Sequence, residues 1–490
     1  MSFIKIKNLS FSYGDRVIFE NVNLNFDQGW KLGLISRNGR GKSTLLKILS
    51  RMIKDYSGIV ESPLKFYYCP MKIENENLSL NEIILQIDNE EIWKIYKESE
   101  LLNLNLDKFE LPYNKLSGGE QVKFQLAMAF ASEKFALLDE PTNHLDQSTK
   151  EIIKNYLHKK TGFILVSHDR WLLDEVTDHI LSINKSSIDL VKGNYSTWKD
   201  KFDNKILNEE KINDKLQKEI NQLAQSKTRT ENWAKDAEKE KFTGKFNKSG
   251  VRPDRGFVGK RASKVMKTSK NFEKRVDKDI EQKSKLLKDI DREEELKLFP
   301  LFTKGEILSI SNLTKKFDNR VIFKDLNLSY ENGQRLAIVG DNGSGKSTLL
   351  NIILGIDKDY YGNVKLKNNI KISYLGQNSR EIKGNLKSYA QTYGIELSLL
   401  CSLIRKLEFE KVDIDMDIEN LSEGEKKKIM LARSLAEKAH LYIWDEPFNY
   451  IDIPSKLQIE KLILQFKPNL IFVEHDKNLI DKIATNILKL

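Results

Sequence analysis

An internal repeat constrains this chain more than any other feature. NGRGKSTLLKIL begins at Asn38 and NGSGKSTLLNII at Asn342; RVIFENVNL begins at Arg16 and RVIFKDLNL at Arg320. LSGGE at Leu116 answers LSEGE at Leu421, LLDEPTNHLD at Leu137 answers YIWDEPFNYID at Tyr442, and SHD at Ser167 answers EHD at Glu474. Internal spacing is kept as well: Lys42 to Asp139 is 97 positions and Lys346 to Asp445 is 99, while Asp139 to His168 is 29 and Asp445 to His475 is 30. Ordered matches at a fixed separation mean two copies of one folding unit. The copies occupy 1–198 and 301–490, and at 490 residues the chain has length for several cores.

The segment between the copies, 199–300, is rich in charge. Phe202, Ile206, Ile212, Leu216, Ile220 and Leu223 recur at helical steps, and Phe272, Val276, Ile280, Leu287 and Ile290 do so later. A narrow apolar stripe on each run predicts two long helices. Gly244, Gly250, Pro253, Gly256 and Gly259 interrupt them, so an antiparallel hairpin with an irregular tip near 242–259 is expected. Within 241–270 ten Lys and Arg face a single acid, Asp254; that local excess of nine nearly equals the chain's net charge of +10. A cationic tip carrying Phe246 and Phe257 among Lys248, Arg252 and Arg255 suits phosphate contacts and base stacking. A solvated loop is the plainer alternative.

Composition excludes some classes. Cys69 and Cys401 are too few and too far apart for a disulfide framework, which fits a reducing, cytoplasmic setting. The segment MSFIKIKNLS lacks the apolar region of a signal peptide, and no apolar run reaches membrane-helix length, so no membrane association is expected.

Gly340, Asp341, Asn342, Gly343, Ser344, Gly345, Lys346, Ser347 and Thr348 fit a phosphate-binding loop between an apolar strand and a helix. Glycines let backbone N–H groups and the helix N-terminus close on phosphates; Lys346 reaches the terminal phosphates and Ser347 takes Mg²⁺. The first copy reads Ser36, Arg37, Asn38, Gly39, Arg40, Gly41, Lys42, Ser43 and Thr44, with serine where the first glycine stands. If that position needs a positive φ, Ser36 strains the loop; otherwise it is tolerated. Asp139 and Asp445 each end an apolar strand, where a carboxylate can hold Mg²⁺. Glu140 and Glu446 follow, placed to polarise an attacking water.

These motifs together resemble the ATP-binding-cassette family, whose signature LSGGEQ stands at 116–121. The resemblance implies an α/β fold: two such P-loop ATPase domains joined by a long antiparallel helical hairpin. It also implies a head-to-tail sandwich, hence a monomer with each ATP held between one copy's phosphate loop and the other's signature. Ser117, Gly118 and Gly119 would then meet nucleotide at Lys346, and Ser422 and Gly424 nucleotide at Lys42. His168 and His475 match the histidine that contacts the γ-phosphate. Tyr13 and Phe317 match the aromatic that stacks on adenine, with a core aromatic as the alternative for each. Gln377 matches a Mg²⁺-contacting glutamine, where the first copy has Met71. Ser36, Met71 and Glu423 gather at one composite site, which predicts faster hydrolysis at the site built on Lys346.

Tandem cassettes around a charged hairpin, EPTNHLD at 140–146, EPFNYID at 446–452 and GNYSTWKDKF at 193–202 resemble the ABC-F translation factors. RASKVMKTSK at 261–270 resembles the linker of that family's antibiotic-resistance members. Met71 to Leu116 is 45 positions and Gln377 to Leu421 is 44, so the first copy carries no added arm, and the sequence runs only 15 residues beyond His475. Those lengths favour the resistance members that act against lincosamides, pleuromutilins and streptogramin A. The resemblance implies binding at the tRNA exit site of the 70S ribosome, near 23S rRNA and the P-site tRNA, with displacement of drugs. A housekeeping translation factor, the ATPase subunit of a drug exporter and a DNA-maintenance protein are the competing readings.

Overall fold

The computed structural model describes residues 3–87, 92–142, 145–184, 188–243, 255–286, 296–317, 320–378, 382–407, 414 and 417–490. Each copy builds the same pair of sheets. In the first, parallel strands lie in the order Phe66–Cys69, Phe135–Asp139, Phe163–Val166, Lys31–Ser36 and His179–Ile183, with Ile188–Lys192 added antiparallel at the edge. In the second, the order is Ile372–Leu375, Leu441–Asp445, Leu470–Val473, Arg335–Val339 and Asn486–Lys489, all parallel. Strands covered on both faces need unbroken apolar runs instead of alternation, and FALL and FILV supply them. A three-stranded antiparallel sheet accompanies each: Phe3–Tyr13 between Arg16–Asp27 and Ser57–Glu61, and Glu306–Phe317 between Arg320–Glu331 and Tyr361–Leu366.

Register brings the motifs to one edge of each parallel sheet. Val166 pairs with both Leu34 and Asp139, so the phosphate loop, the Asp-Glu pair and the histidine turn all leave the carboxyl ends of neighbouring strands. Crevices at such strand ends are where open parallel sheets bind ligands.

Both copies fall in one compact unit, Met1–Trp198 with Glu293–Leu490. Leu296 and Leu298 pack in the second copy's core, and Phe299–Pro300 pairs with Lys438–Ala439, so that core takes in chain that the repeat itself does not mark.

The other unit is Lys199–Arg292. Its chain is helical within Tyr195–Thr243 and again along Arg255–Leu286. Lys227 pairs with Asp277 at 2.6 Å and Lys283 with Glu219 at 2.5 Å, contacts that require the helices to run antiparallel. Val276 of the apolar stripe is buried and Phe202, Ile206, Leu216, Ile220, Leu223 and Ile280 are half-buried. The seam departs from the stripe at Ile212 and Phe272, which are exposed, and takes in Ala234 and Ser269, which are buried. Small and polar residues let two helices approach closely where Ser269 can donate to Glu273 within its own helix. Leu287 and Ile290 lie outside the described residues, as do Phe246, Lys248 and Arg252. Arg255 and Phe257 fall in the second helix, with side chains outside the description.

Candidate active site

The phosphate loops are shaped by glycine. Gly41 and Gly345 precede their helices with φ of 93° and 97°, and a Cβ on either would strike Ile18 or Ile322. Gly39 and Gly343 also hold positive φ. Ser36 does not: it closes the strand Lys31–Ser36 in extended backbone and its hydroxyl donates to the Arg37 carbonyl at 2.9 Å. Serine is therefore tolerated there. Lys42 donates to the Ser36 carbonyl at 3.0 Å, and Lys346 to Gly340 and Asp341 at 2.8 and 2.9 Å. Behind each loop stand the N-termini of Lys42–Leu49 and Lys346–Ile353, a ready anion site.

Glu140 and Glu446 hold left-handed backbone, φ 51° and 49°, each fastened by its amide to the next strand at Val166 or Val473. Such backbone in a non-glycine residue marks stored strain at a working position. Burial pushes the Glu140 carboxyl up to about 7 even though Lys42 opposes the shift. His168 lies 3.3 Å from Glu140, and burial, with Lys42 and Lys456 nearby, holds its imidazole well below the usual range. His475 stands 3.6 Å from Glu446.

A magnesium ion takes few protein ligands and keeps phosphate oxygens and water for the rest. Among the described residues no three His, Cys, Asp or Glu side chains converge on a metal position. The second copy offers what the ion needs: Ser347 donates to one Asp445 oxygen at 2.9 Å, the other oxygen is buried without a partner, and Gln377 donates to Glu446 at 2.8 Å. In the first copy Asp139 accepts from Tyr68 at 2.7 Å. The Met71 backbone is gripped at both ends by Gln125, at 3.0 and 3.1 Å.

The copies face each other head to tail. The Asn38 amide donates to Asp452 at 3.2 Å and its side chain to the Tyr450 carbonyl at 2.9 Å; Gly424 lies beside both. In the mirrored contact burial raises the Asp146 carboxyl, but bonds from Thr149, Ser148 and the Asn342 backbone outweigh it and hold it below the usual range. Thus each phosphate loop is met by the other copy. Ser117 and Ser422 cap the signature helices Gly118–Ala131 and Glu423–Ala436, each in a reciprocal box with Glu120 or Glu425. A Cβ at Gly118 would meet open space, so Glu423 fits at the matching position. Tyr13 and Phe317 are 52% and 50% exposed, which sets aside the core-aromatic alternative.

The family model for ABC transporters matches residues 19–143 and 323–449. The ribosome protection protein VmlR of Bacillus subtilis is 29% identical over 99% of this chain and 86% of its own length. The ATP-binding protein Uup of Buchnera aphidicola is 31% identical over 99% and 80%, and ABC transporter F family member 2 of Arabidopsis thaliana is 26% identical over 100% and 76%. The chain belongs to the ABC-F family of ATP-binding-cassette proteins. An archaeal ABCE1 structure shares its fold, at TM-score 0.61 and 16% identity, over 98% of this chain and 87% of that one.

As an ABC-F protein it carries ATPase domains that bind and hydrolyse ATP, normally with Mg²⁺. Among the described residues no helix is long and apolar enough to cross a membrane. Sequence reasoning passed over several residues that the geometry brings to the sites. Asp146 and Asp452 end the quoted motifs EPTNHLD and EPFNYID, each six positions after its glutamate. That matched spacing was the available signal. Tyr68, Lys427 and Lys428 carry none, because only tertiary packing takes them there.

Proposed function

We propose that this ABC-F ATPase acts on the ribosome, entering at the tRNA exit site and carrying its hairpin tip toward the peptidyl-transferase centre to displace antibiotics. Support comes chiefly from one observation: a separate, charged helical unit, Lys199–Arg292, is inserted between two cassettes that share one body. An exporter subunit needs a surface for a membrane partner, and nothing in that role requires a cationic hairpin. Similarity to VmlR over nearly the whole of both chains favours ribosome protection. The energy-dependent translational throttle protein EttA of Escherichia coli, 26% identical over 96% of this chain and 89% of its own length, keeps a general translation role as the second reading.

In this scheme residues 36–44 and 340–348 cradle the ATP phosphates, Tyr13 and Phe317 meet adenine, and the opposite signatures through Ser422, Gly424, Ser117, Gly118 and Gly119 complete each site. Ser43 with Asp139, and Ser347 with Asp445 and Gln377, hold Mg²⁺. Glu140 and Glu446 each orient a water for in-line attack, with His168 and His475 beside them at the γ-phosphate. ATP favours the clamped sandwich, the clamped form binds 23S rRNA and P-site tRNA, and hydrolysis releases it. Only a difference in ribosome affinity between nucleotide states can drive such a cycle. Phe246, Lys248, Arg252, Arg255 and Phe257 are the proposed RNA contacts at the tip.

Two measurements test this. A Glu140→Gln/Glu446→Gln double variant with ATP should co-sediment with ribosomes. Expression should raise the minimum inhibitory concentrations of lincosamides, pleuromutilins or streptogramin A. Co-sedimentation without a rise in any of them selects the general translation role; membrane association without ribosomes selects the exporter.

A further inference from the structure

Two adjacent lysines on the second signature helix, Lys427 and Lys428, are 2% and 3% exposed. Burying one ammonium is costly, and two in sequence need a reason. Their bonds point to different ATP sites. Lys428 donates to Asp452 at 3.0 Å and to the Leu407 carbonyl at 2.9 Å; the same Asp452 oxygen accepts the Asn38 amide in the phosphate loop of Lys42. Lys427 donates to the carbonyls of Gly376 at 3.0 Å and Asp445 at 3.3 Å, directly behind Gln377 and the Asp445 carboxylate of the Lys346 site. Among the described residues no carboxylate oxygen is bonded to Lys427. The helix that carries both begins at the signature for the Lys42 site. We infer that Lys427 and Lys428 make this helix a mechanical link between the two ATP sites, with Lys427 the positioning residue that transmits engagement at Lys42 to the strand ends serving Lys346.

The first copy lacks one leg of the link. The two signature helices start from the same capping box, so Val122 stands five positions after Ser117 as Lys427 stands five after Ser422. There the Gln125 side chain grips Met71, and Lys123 reaches the Asn103 carbonyl at 3.4 Å. A side-chain amide ties the signature helix to that loop alone; Lys427 ties its helix to both the loop and the Asp445 strand. The second copy's signature helix therefore carries more of the coupling between the two sites than the first copy's does.

The test is a double-mutant cycle with two readouts on the full chain. In nucleotide-free protein, amide hydrogen exchange follows the peptide spanning 445–447, whose Glu446 amide is bonded to Val473. Asp452→Ala, which removes the carboxylate that receives both the Asn38 amide and Lys428, should speed its exchange several-fold in the parent chain and leave it unchanged beside Lys427→Met. With Glu140→Gln silencing the Lys42 site, Lys427→Met should lower kcat at the Lys346 site about tenfold at constant KM, a loss of transition-state stabilisation alone. Lys427→Arg should restore most of it. If Lys427→Met fails to fold, Lys427→Gln, which keeps a donor but is too short to bridge the loop and the Asp445 strand together, takes its place in the cycle. Equal acceleration of exchange by Asp452→Ala with and without Lys427, or a KM rising with the fall in kcat, overturns the inference.

Discussion

Arg170 of the first copy donates to Glu460 of the second at 3.0 Å, and both side chains are buried, at 5% and 7% exposed. The pair is one-sided. The residues matching Arg170 and Glu460 in the opposite copies are Lys477 and Lys154, which cannot pair with each other. Arg170 also lies 3.8 Å from the buried Asp476, while Glu460 keeps Lys482 at 2.9 Å, so Arg170→Met strands Asp476 more than Glu460 and should destabilise the chain by about 3–5 kcal/mol. Arg170→Met with Glu460→Leu should recover only part of that. Calorimetric or denaturant unfolding checks both; equal losses in single and double variants would contradict the one-sided pairing.

The two ATP sites should turn over unequally. Ser347 and Gln377 already engage the carboxylates of the Lys346 site, whereas Asp139 is bonded to Tyr68 and Met71 cannot serve as Gln377 does. Glu446→Gln is expected to lower single-turnover hydrolysis tenfold or more, and Glu140→Gln by about threefold or less. Equal losses from the two changes would rule the inequality out.

Stability without nucleotide or magnesium should carry a signature of Glu140. Its folded carboxyl titrates near 7 against an ordinary 4.5, so between those values the native state holds a proton that the unfolded chain has released. That contribution is present below pH 4.5 and is lost as pH rises toward 7, a change on the order of 3 kcal/mol. Glu140→Gln lacks the slope, and its advantage over the parent should grow with pH and level off above 7. A stability difference that stays flat across that range would refute the assignment.

Ribosome binding, if the hairpin meets RNA, should weaken steeply with salt. Lys264, Lys267 and Lys270 are exposed on the helix Arg255–Leu286. Changing all three to Gln should reduce the slope of log affinity against log salt by about 2–3, since each phosphate left unneutralised lowers it by about one. A slope left unchanged would place the RNA-binding surface elsewhere.

The glycines of the two signatures and loops are not equivalent. Gly118→Glu copies the second signature into open space, and its effect on stability should stay within about 0.5 kcal/mol. Gly41→Ala puts a Cβ into Ile18 at a φ of 93° and should abolish ATP binding, measured by a fluorescent nucleotide analogue.

The parallel sheets, phosphate loops and Asp-Glu strand ends were legible because their chemistry needs fixed residue types at fixed spacing. The repeat doubled each signal. The hairpin seam was harder. Apolar periodicity found the buried Val276 but also pointed to Ile212 and Phe272, which are exposed, and it passed over Ala234 and Ser269, whose small side chains are buried. Lys427 was illegible for a different reason. A lysine in the run Glu425, Lys426, Lys427, Lys428 reads as a solvated face, and only the turn of the helix sends two of those ammonium groups inward.

The left-handed backbone of Glu140 and Glu446 sets durability against turnover at single positions. Glycine would relax either turn at no steric cost and leave it without a carboxylate. A chain shaped for endurance alone would carry glycine at both; this one keeps a tense loop wherever water must be aimed at phosphorus.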